Sequence, residues 1–413
     1  MALTSTYLIN RAPITPVFHN QEMARPTSPK RVSRLILYAV IITVVLAFIC
    51  WPPISFTSKT PAGFGAHLRS GGPGNIQAIT NETLGVQAIF SISLPSRVDK
   101  RDNIILGSSA SGFYIEIIDA TTPDQINPKT YPYNWNYEHR PVEYAARRSH
   151  LNVMQRILKD RLASAIVMED DADWDVTIKS QLQSFAISVR ALADDAVTSA
   201  SSPYGDDWDI LWLGHCGIEC NTEFPYYLTP NDPTIPPPDH FLPYWRDPPP
   251  LDRPDHARMT CPITDGVCSI VYAVSFRGAQ RILAALSSNP SVLAEKIDTG
   301  AQFDVSLGRM CGVGYLRCFA PYPSLTGGYK SAGSAAKGSD INGPDDDAVK
   351  ALEEPTAKPF SHGVMYSTML NIERILAGEK TVLATWDDVP AQEICPGDIS
   401  ALEGSIQMPK EQA

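Results

Sequence analysis

Apolar and polar positions along the chain alternate between two patterns. Short, mainly apolar runs at 86–94, 113–120 and 165–168 predict strands. The segment between the first two runs predicts a helix, and apolar residues recur at three- and four-residue intervals from Val142 onward. A strand, a helix and a second strand in that order predict a right-handed parallel crossover.

The same alternation continues through the second half of the chain, which predicts an α/β fold. The apolar runs predict strands at 208–214, 267–274, 303–307 and 315–320, and the intervening periodic segments predict helices at 181–195, 277–286 and 365–377.

Residues 35–51 carry no charge and are almost wholly apolar, which is enough to cross a bilayer core of about 30 Å. Lys30, Arg31 and Arg34 precede this run, so the amino terminus is expected to stay cytosolic. A cleaved signal peptide is the alternative.

The sequence predicts a single-pass type II membrane protein of the Golgi or endoplasmic reticulum with its bulk in the lumen. Its expected parts are a cytoplasmic tail (1–34), a transmembrane signal anchor (35–54), a flexible stem (55–85), a main domain (86–341) with a proline-rich insertion (225–262), and a C-terminal extension (342–413).

Charge and cysteine content narrow the class of protein. The net charge is −11, which argues against binding to a nucleic-acid backbone. Asn81-Glu82-Thr83 is a glycosylation sequon at the end of the predicted stem. Six cysteines could form up to three disulfides in an oxidising lumen, with a pairing that the sequence leaves open. These are Cys216, Cys220, Cys261, Cys268, Cys311 and Cys318.

The run from Glu169 to Asp175 follows an apolar strand directly and contains five carboxylates. Such a cluster needs a cation or strong hydrogen bonds, and strand ends are where open α/β sheets bind ligands. The alternative is a solvated acidic turn. Asp171 belongs to both possible ligand frames, Glu169-Asp170-Asp171 and Asp171-x-Asp173, so the pattern favours Asp171 as a metal ligand, helped by Asp173 and Asp170.

Several motifs, in this order along the chain, resemble glycosyltransferase family 25, which includes lipooligosaccharide and collagen galactosyltransferases. Val142 and Ala145 replace two family glycines, and Arg147 and Arg148 also depart from the pattern. The matching segments are 93–101 (SLPSRVDKR), Glu143 with Ser149 and His150, 166–171 (IVMEDD), 208–214 (WDILWLG), 272–279 (YAVSFRGA), Asp304 and 339–341 (SDI).

This resemblance implies a Rossmann-like GT-A-type glycosyltransferase domain over residues 86–341. It implies an inverting transfer of galactose, or else glucose, from a UDP-hexose donor to a hydroxyl of a glycan or glycoprotein acceptor. A carboxylate-held Mn²⁺ or Mg²⁺ would neutralise the departing diphosphate.

Candidate roles follow for individual residues. Arg97 and Arg101 are candidates to contact the donor, with Asp99 orienting them; a basic solvated turn is the alternative. Asp304 is the candidate general base, as the lone acid in an apolar, strand-like segment. Further donor-binding candidates are Asp170, Glu143, which could instead begin a helix, and His150, which could instead be a hydrogen-bonded core histidine.

Two functions from other classes compete with the transferase. Asp173-Trp174-Asp175-Val176-Thr177 fits the Asp-x-Asp-x-Thr pattern of aspartyl-phosphate phosphohydrolases, although the apolar run ends four residues too early. The second alternative is a catalytically silent lumenal sugar-binding protein, which would keep the sugar pocket but tolerate loss of the acidic cluster.

Overall fold

The computed structural model describes residues 75–132, 134–193, 201–242, 249–288, 296–297, 299–333, 339–341, 358–389 and 400–409. All of them belong to one compact unit, residues 68–413. The strands are β1 (Ala88–Ser93), β2 (Glu116–Asp119), β3 (Ser164–Glu169), β4 (Ala172–Trp174), β5 (Ile210–Gly214), β6 (Gly217–Cys220), β7 (Tyr226–Thr229), β8 (Arg258–Val267), β9 (Val271–Ser275), β10 (Cys318–Tyr322), β11 (Thr326–Lys330), β12 (Phe360–His362) and β13 (Ser405–Gln407). The α-helices are α1 (Val98–Ala110), α2 (Pro141–Asp160), α3 (Ile178–Ala193), α4 (Phe276–Leu283), α5 (Phe303–Gly312) and α6 (Ile372–Leu376).

Ten of these strands form one mixed sheet in the order β13-β7-β8-β10-β5-β9-β3-β1-β2, with β6 paired to β8. β1 pairs in parallel with β2 on one side and with β3 on the other, which confirms the predicted parallel crossover. Beyond β3 the pairing becomes antiparallel, because β9 lies between β3 and β5. Because β2 lies on one side of β1 and β3 lies on the other, the strand order reverses between β1 and β3. Open α/β sheets form a crevice at such a point.

Two hydrophobic clusters cover the faces of the large sheet. One packs α2, α4 and α5 against β1, β5, β8 and β9, and the other packs α1 and α3 against the opposite side chains of the central strands. The apolar runs buried on both faces explain why β3, β5 and β9 are uninterrupted in sequence.

A second, three-stranded sheet has the order β12-β11-β4. Its middle strand, β11, pairs antiparallel with both neighbours. β4 comes from the acidic run and β12 comes from the C-terminal extension, so this small sheet joins the two regions.

No described helix is both long and apolar enough to cross a membrane. The longest described helix, α2, has 20 residues but carries charged side chains throughout its length. This finding contradicts the predicted fold class with a transmembrane anchor and the predicted single-pass localisation. The predicted tail (1–34), the anchor (35–54) and stem residues 55–74 lie outside the described residues.

Two other element predictions were wrong. Residues 303–307 begin the helix α5 instead of forming a strand. The predicted helix at 365–377 is reduced to α6, five residues long. The proline-rich segment 225–262 contains β7 and the beginning of β8.

All six grouped cysteines form disulfides, in a pairing that the sequence left open. Cys216 is bonded to Cys268, Cys220 to Cys261, and Cys311 to Cys318. Two of the three bonds join residues 52 and 41 positions apart, so they connect segments that only the tertiary structure brings together.

Candidate functional site

A pocket opens at the carboxyl ends of the parallel strands β1, β2 and β3. Its cavity volume is about 130 Å³, smaller than the roughly 300–1,000 Å³ of typical ligand pockets, so a nucleotide sugar would have to extend past its mouth. The lining residues are Ile92, Leu94, Lys100, Ala120, Thr121, Pro123, Val142, Ala145, Ala146, Ser149, His150, Glu169, Asp170, Asp171, Ser339, Asp340 and Ile341.

Lys100 lies at the charged end of this pocket, where three carboxylates converge on its ammonium group. Its Nζ lies 2.9 Å from Asp170, 3.1 Å from Asp171 and 3.3 Å from Asp340. Burial by itself would lower the pKa of Lys100, but the negative charges of Asp171 and Asp170 outweigh burial and raise that pKa above its usual value. Lys100 is therefore a permanently charged cation inside an acidic pocket.

The position of Lys100 follows from the start of α1. Arg97 is the N-cap residue of this helix, and Lys100 lies one turn further along the same face. Arg97 forms ion pairs with Asp99, at 3.0 Å, and with Asp340. Arg101 points elsewhere: its guanidinium donates to the Ser93 carbonyl at 2.8 Å and pairs with Asp119 at 2.6 Å.

Asp170 and Asp171 occupy the turn between β3 and β4. Asp170 accepts a hydrogen bond from the Ser93 hydroxyl at 2.7 Å in addition to its bond with Lys100. The Asp171 side chain keeps 29 % of its surface exposed in the pocket. Of these two carboxylates, Asp171 is the more accessible to a ligand.

Asp173 does not join them. It is fully buried in β4, where its carboxylate accepts hydrogen bonds from the hydroxyls of Ser361, at 2.7 Å, and Ser367. Asp175 is buried as well and binds Thr177 and the Tyr366 backbone. The acidic run thus has two roles in the structure. Asp170 and Asp171 face the pocket, whereas Asp173 and Asp175 bind the C-terminal extension.

Glu169 closes the inner end of the pocket and was not among the predicted site residues. Its carboxyl group accepts a hydrogen bond from the Ser269 hydroxyl at 3.0 Å. Burial, reinforced by the charges of Asp171 and Asp304, raises the pKa of Glu169 to about 8.

Asp304 lies in the first turn of α5 and does not line the pocket. Its carboxylate accepts a hydrogen bond from the Cys268 backbone N–H at 2.8 Å. The Cys216–Cys268 disulfide holds the same loop, which also supplies Ser269 to Glu169.

The two predicted residues of α2 have different roles. Glu143 accepts hydrogen bonds from the Arg140 backbone at 3.1 Å and lies 3.0 Å from His139 Nδ1, so it caps the helix and does not line the pocket. His150 does line the pocket. It stacks on Phe303 at 4.3 Å and is hydrogen-bonded to the Tyr272 hydroxyl at 3.0 Å, and burial lowers its pKa to about 3, which keeps the imidazole neutral.

Of the predicted site residues, Asp170, Asp171 and His150 line the pocket, and Arg97, itself paired with Asp99, joins them through Asp340. The remaining predicted residues lie outside the pocket lining: Arg101, Glu143, Asp173 and Asp304. Lys100 and Asp340 were missed as site residues. A signal existed for each: Lys100 follows Arg97 at helical spacing, and Asp340 belongs to the segment 339–341 that resembles the family.

The charged pocket of this mixed α/β domain lies at the carboxyl ends of parallel strands, where open α/β sheets bind ligands. No protein-family model matches the chain. Procollagen galactosyltransferase 1 of Danio rerio is 24 % identical over 216 residues, which cover 49 % of this chain and 29 % of the relative. The match thus spans less than a third of that relative's length. This similarity supports a glycosyltransferase-like relation for the chain.

Proposed function

We propose that this protein is a hexosyltransferase that takes galactose or glucose from a UDP-sugar and transfers it to a hydroxyl of a glycan or glycoprotein. The observation that carries the proposal is the convergence of Lys100 and the Asp171 carboxylate in a pocket formed by parallel strand ends, with Arg97 joined to Lys100 through Asp340. The similarity to a galactosyltransferase supports the same class of reaction.

Within this proposal, Lys100 and Arg97 contact the donor. A diphosphate competes with carboxylates for ammonium and guanidinium groups, and its two phosphates add charge-assisted hydrogen bonds. Both cations are held by Asp340, so donor binding would exchange part of this ion-pair network for contacts with phosphate.

The proposal includes a divalent cation, Mn²⁺ or Mg²⁺, with fewer protein ligands than the sequence predicted. Asp171 fits, because its carboxylate faces the pocket, whereas Asp173 does not, because two serine hydroxyls and the β4 backbone surround it. Within the described residues, no three His, Cys, Asp or Glu side chains are grouped to hold a metal. The cation would therefore bind with the donor diphosphate and would neutralise the charge that develops on the leaving group.

An inverting transfer, which the family resemblance implies, needs a base for the acceptor hydroxyl. We assign this role to the ionised form of Glu169, which lines the pocket, and the negative charge of Asp304 raises the proton affinity of that carboxylate. Asp304 alone, the residue predicted from the sequence, has no surface in the pocket lining.

The phosphohydrolase alternative loses its main support. Its nucleophile would be Asp173 and its acid–base residue Asp175, but the two side chains are 0 % and 1 % exposed. Neither carboxylate can reach a phosphate monoester in solution, and both have structural hydrogen-bond partners.

The decisive experiment measures UDP release by the purified chain from UDP-galactose and UDP-glucose, with and without Mn²⁺. We expect Mn²⁺-stimulated release that falls at least roughly a hundredfold in Asp171→Ala, as when a group stabilising the leaving-group charge is removed. Asp119→Ala is the matched control, since this largely exposed carboxylate contacts Arg101 outside the pocket lining. UDP binding without any release would favour the silent sugar-binding protein, and absence of both would refute the transferase.

A further inference from the structure

The loop between β2 and α2, residues 120–140, carries aromatic side chains that pack on the beginning of α2. The ring centroid of Tyr131 lies 4.3 Å from that of Tyr144 in α2 and 5.9 Å from those of both Trp135 and Tyr137. Aromatic rings at these separations are in favourable contact. Tyr131, Trp135, Tyr137 and Tyr144 are called the aromatic cluster below.

The cluster has a buried base and an exposed end. Trp135 and Tyr144 are 5 % and 2 % exposed and meet edge to face at 5.0 Å, whereas Tyr137 is 81 % exposed. Tyr131, which is partly exposed, lies between Tyr137 and the buried rings. The cluster therefore presents one aromatic ring to solvent on a packed support.

Hydrogen bonds fix this support to the rest of the domain. Asn134 accepts a hydrogen bond from the Thr299 hydroxyl at 2.8 Å, and the Thr299 carbonyl accepts one at 2.6 Å from the buried guanidinium of Arg147. The Tyr144 hydroxyl donates to the Thr130 carbonyl at the other end of the cluster. A loop that is held before a ligand arrives loses less entropy when it binds one.

Both ends of the loop meet the pocket. Thr121, near its beginning, lines the pocket, and so does Ala145, which directly follows Tyr144 in α2. Arg140, the last residue of the loop, donates a hydrogen bond to the carbonyl of Ile341, which is also a lining residue. The pocket of about 130 Å³ is too small for a donor and an acceptor together, so the acceptor needs a surface beside its mouth.

We propose that Tyr137 belongs to the acceptor subsite, where the face of its ring stacks on a pyranose ring of a glycan. One face of a pyranose consists of C–H groups with a slight positive charge, which complement the negative face of an aromatic ring. The inference rests on the proposed function. It narrows the acceptor from a glycan or glycoprotein hydroxyl to the sugar portion of the acceptor and names a residue that binds it.

The size and the surroundings of the exposed ring favour a sugar over a protein partner. A stable protein–protein interface buries roughly 1,200–2,000 Å² and has several anchoring side chains. Here Tyr137 is the one mostly exposed ring of the cluster, and its neighbours in the chain, Asn136 and Glu138, are exposed and polar. One ring with a polar surround fits one sugar ring. Extended proline-rich peptides, which also dock on aromatic side chains, are the competing occupant.

The test is saturation-transfer NMR on the full chain in the presence of saturating UDP, with the methyl glycosides of galactose, glucose, mannose and N-acetylglucosamine as probes. With at least one glycoside we expect saturation transfer that is strongest at the protons of one ring face. Tyr137→Ala should weaken the affinity for that glycoside roughly tenfold. Tyr137→Phe should bind it as the wild-type chain does, because stacking uses the ring and not the hydroxyl.

Tyr114→Ala is the matched control. Tyr114 is 67 % exposed and precedes β2, whereas Ala120, which lines the pocket, follows that strand, so the control removes an exposed ring at the opposite end of the strand. The variant should bind the glycoside with wild-type affinity. Circular dichroism establishes that each variant is folded.

The inference is overturned if none of the glycosides binds or if folded Tyr137→Ala keeps the wild-type affinity. It is also overturned if an oligoproline peptide, and no glycoside, gives a signal that depends on Tyr137. These results are separable from a failure of the proposed function, since UDP release to water needs no acceptor. UDP release without glycoside binding at Tyr137 would retain the transferase and reject the subsite, whereas glycoside binding at Tyr137 without release would do the reverse.

Discussion

At the scale of single residues, Lys100 determines the character of the pocket. The basic turn contains Arg97, Lys100 and Arg101, which look equivalent in the sequence. The start of α1 at Val98 separates them: Arg97 and Lys100 share the face toward Asp340, and Arg101 pairs with Asp119 beside β2. Composition alone does not fix the residue at which this helix starts.

Glu169 leads to a prediction about pH. Its folded pKa of about 8 lies above the ordinary value of 4.5, so between these values the folded chain holds a proton that the unfolded chain has released. This group's contribution to the free energy of unfolding is complete below pH 4.5 and is lost as the pH rises toward 8, by about 1.4 kcal/mol per pH unit at most. Glu169→Gln stays uncharged, so urea unfolding from pH 5 to 8 should show a shallower decline in the variant.

Glu138, which is exposed in the loop before α2, provides the control. Glu138→Gln makes the same substitution at an exposed side chain and shows what the change from Glu to Gln does by itself. Parallel wild-type and Glu169→Gln curves across pH 5–8 would show that Glu169 is ionised in the folded protein.

At the scale of elements, β4 converts part of an acidic run into a structural strand. The turn at Asp170 and Asp171 faces the pocket, whereas Asp173 and Asp175 enter the buried side of the small sheet. Burial raises the pKa of Asp173, and hydrogen bonds from Ser367 and Ser361 counteract that effect. The Asp173 carboxylate thus accepts the hydrogen bonds that the two serine hydroxyls would otherwise donate to water.

We expect Asp173→Ala to lower the free energy of unfolding by about 1–3 kcal/mol, because the variant leaves buried serine hydroxyls without an acceptor. Urea unfolding followed by circular dichroism measures the loss. Asp102→Ala, on the exposed side of α1, should change stability by less than about 0.5 kcal/mol. Equal stabilities of the two variants would show that Asp173 does not hold the extension in place.

Helix α5 begins where the local sequence pattern predicted a strand. Phe303, Val305 and Leu307 alternate with polar residues, which is the period of a strand. In the fold, Phe303 stacks on His150 and Leu307 packs in the core, and a helical turn brings both to one side. Tertiary packing therefore overrides a five-residue alternation that is too short to determine its own structure.

At the scale of the whole molecule, the folded unit extends past both predicted boundaries of the main domain, 86 and 341. On the amino-terminal side, Ile79 and Leu84 are 0 % and 1 % exposed in the core. On the carboxyl-terminal side, β12 pairs with β11 and β13 pairs with β7. These contacts connect distant parts of the chain, so no local composition marks them.

A chain of residues 86–341 should therefore fail to unfold cooperatively, whereas residues 75–413 should show one sharp thermal transition. The shorter chain loses β12 and β13 and exposes the apolar surface that Ile79 and Leu84 cover. Thermal circular dichroism and size-exclusion chromatography compare the two. If both chains had the same transition temperature, the folded unit would end at residues 86 and 341, as the sequence pattern predicts.

The sequence by itself determined the elements whose signals are local. The apolar runs of β3, β5 and β9 are uninterrupted because both sheet faces are covered, and α2 and α3 keep a helical period. The parallel start of the sheet and the acidic strand end at Asp170 and Asp171 follow from the same patterns. Only the tertiary structure decided which polar side chains meet. Lys100 and Asp340 are 240 positions apart and Asp173 and Ser361 are 188 positions apart, and their contacts depend on a tertiary structure that no local pattern encodes.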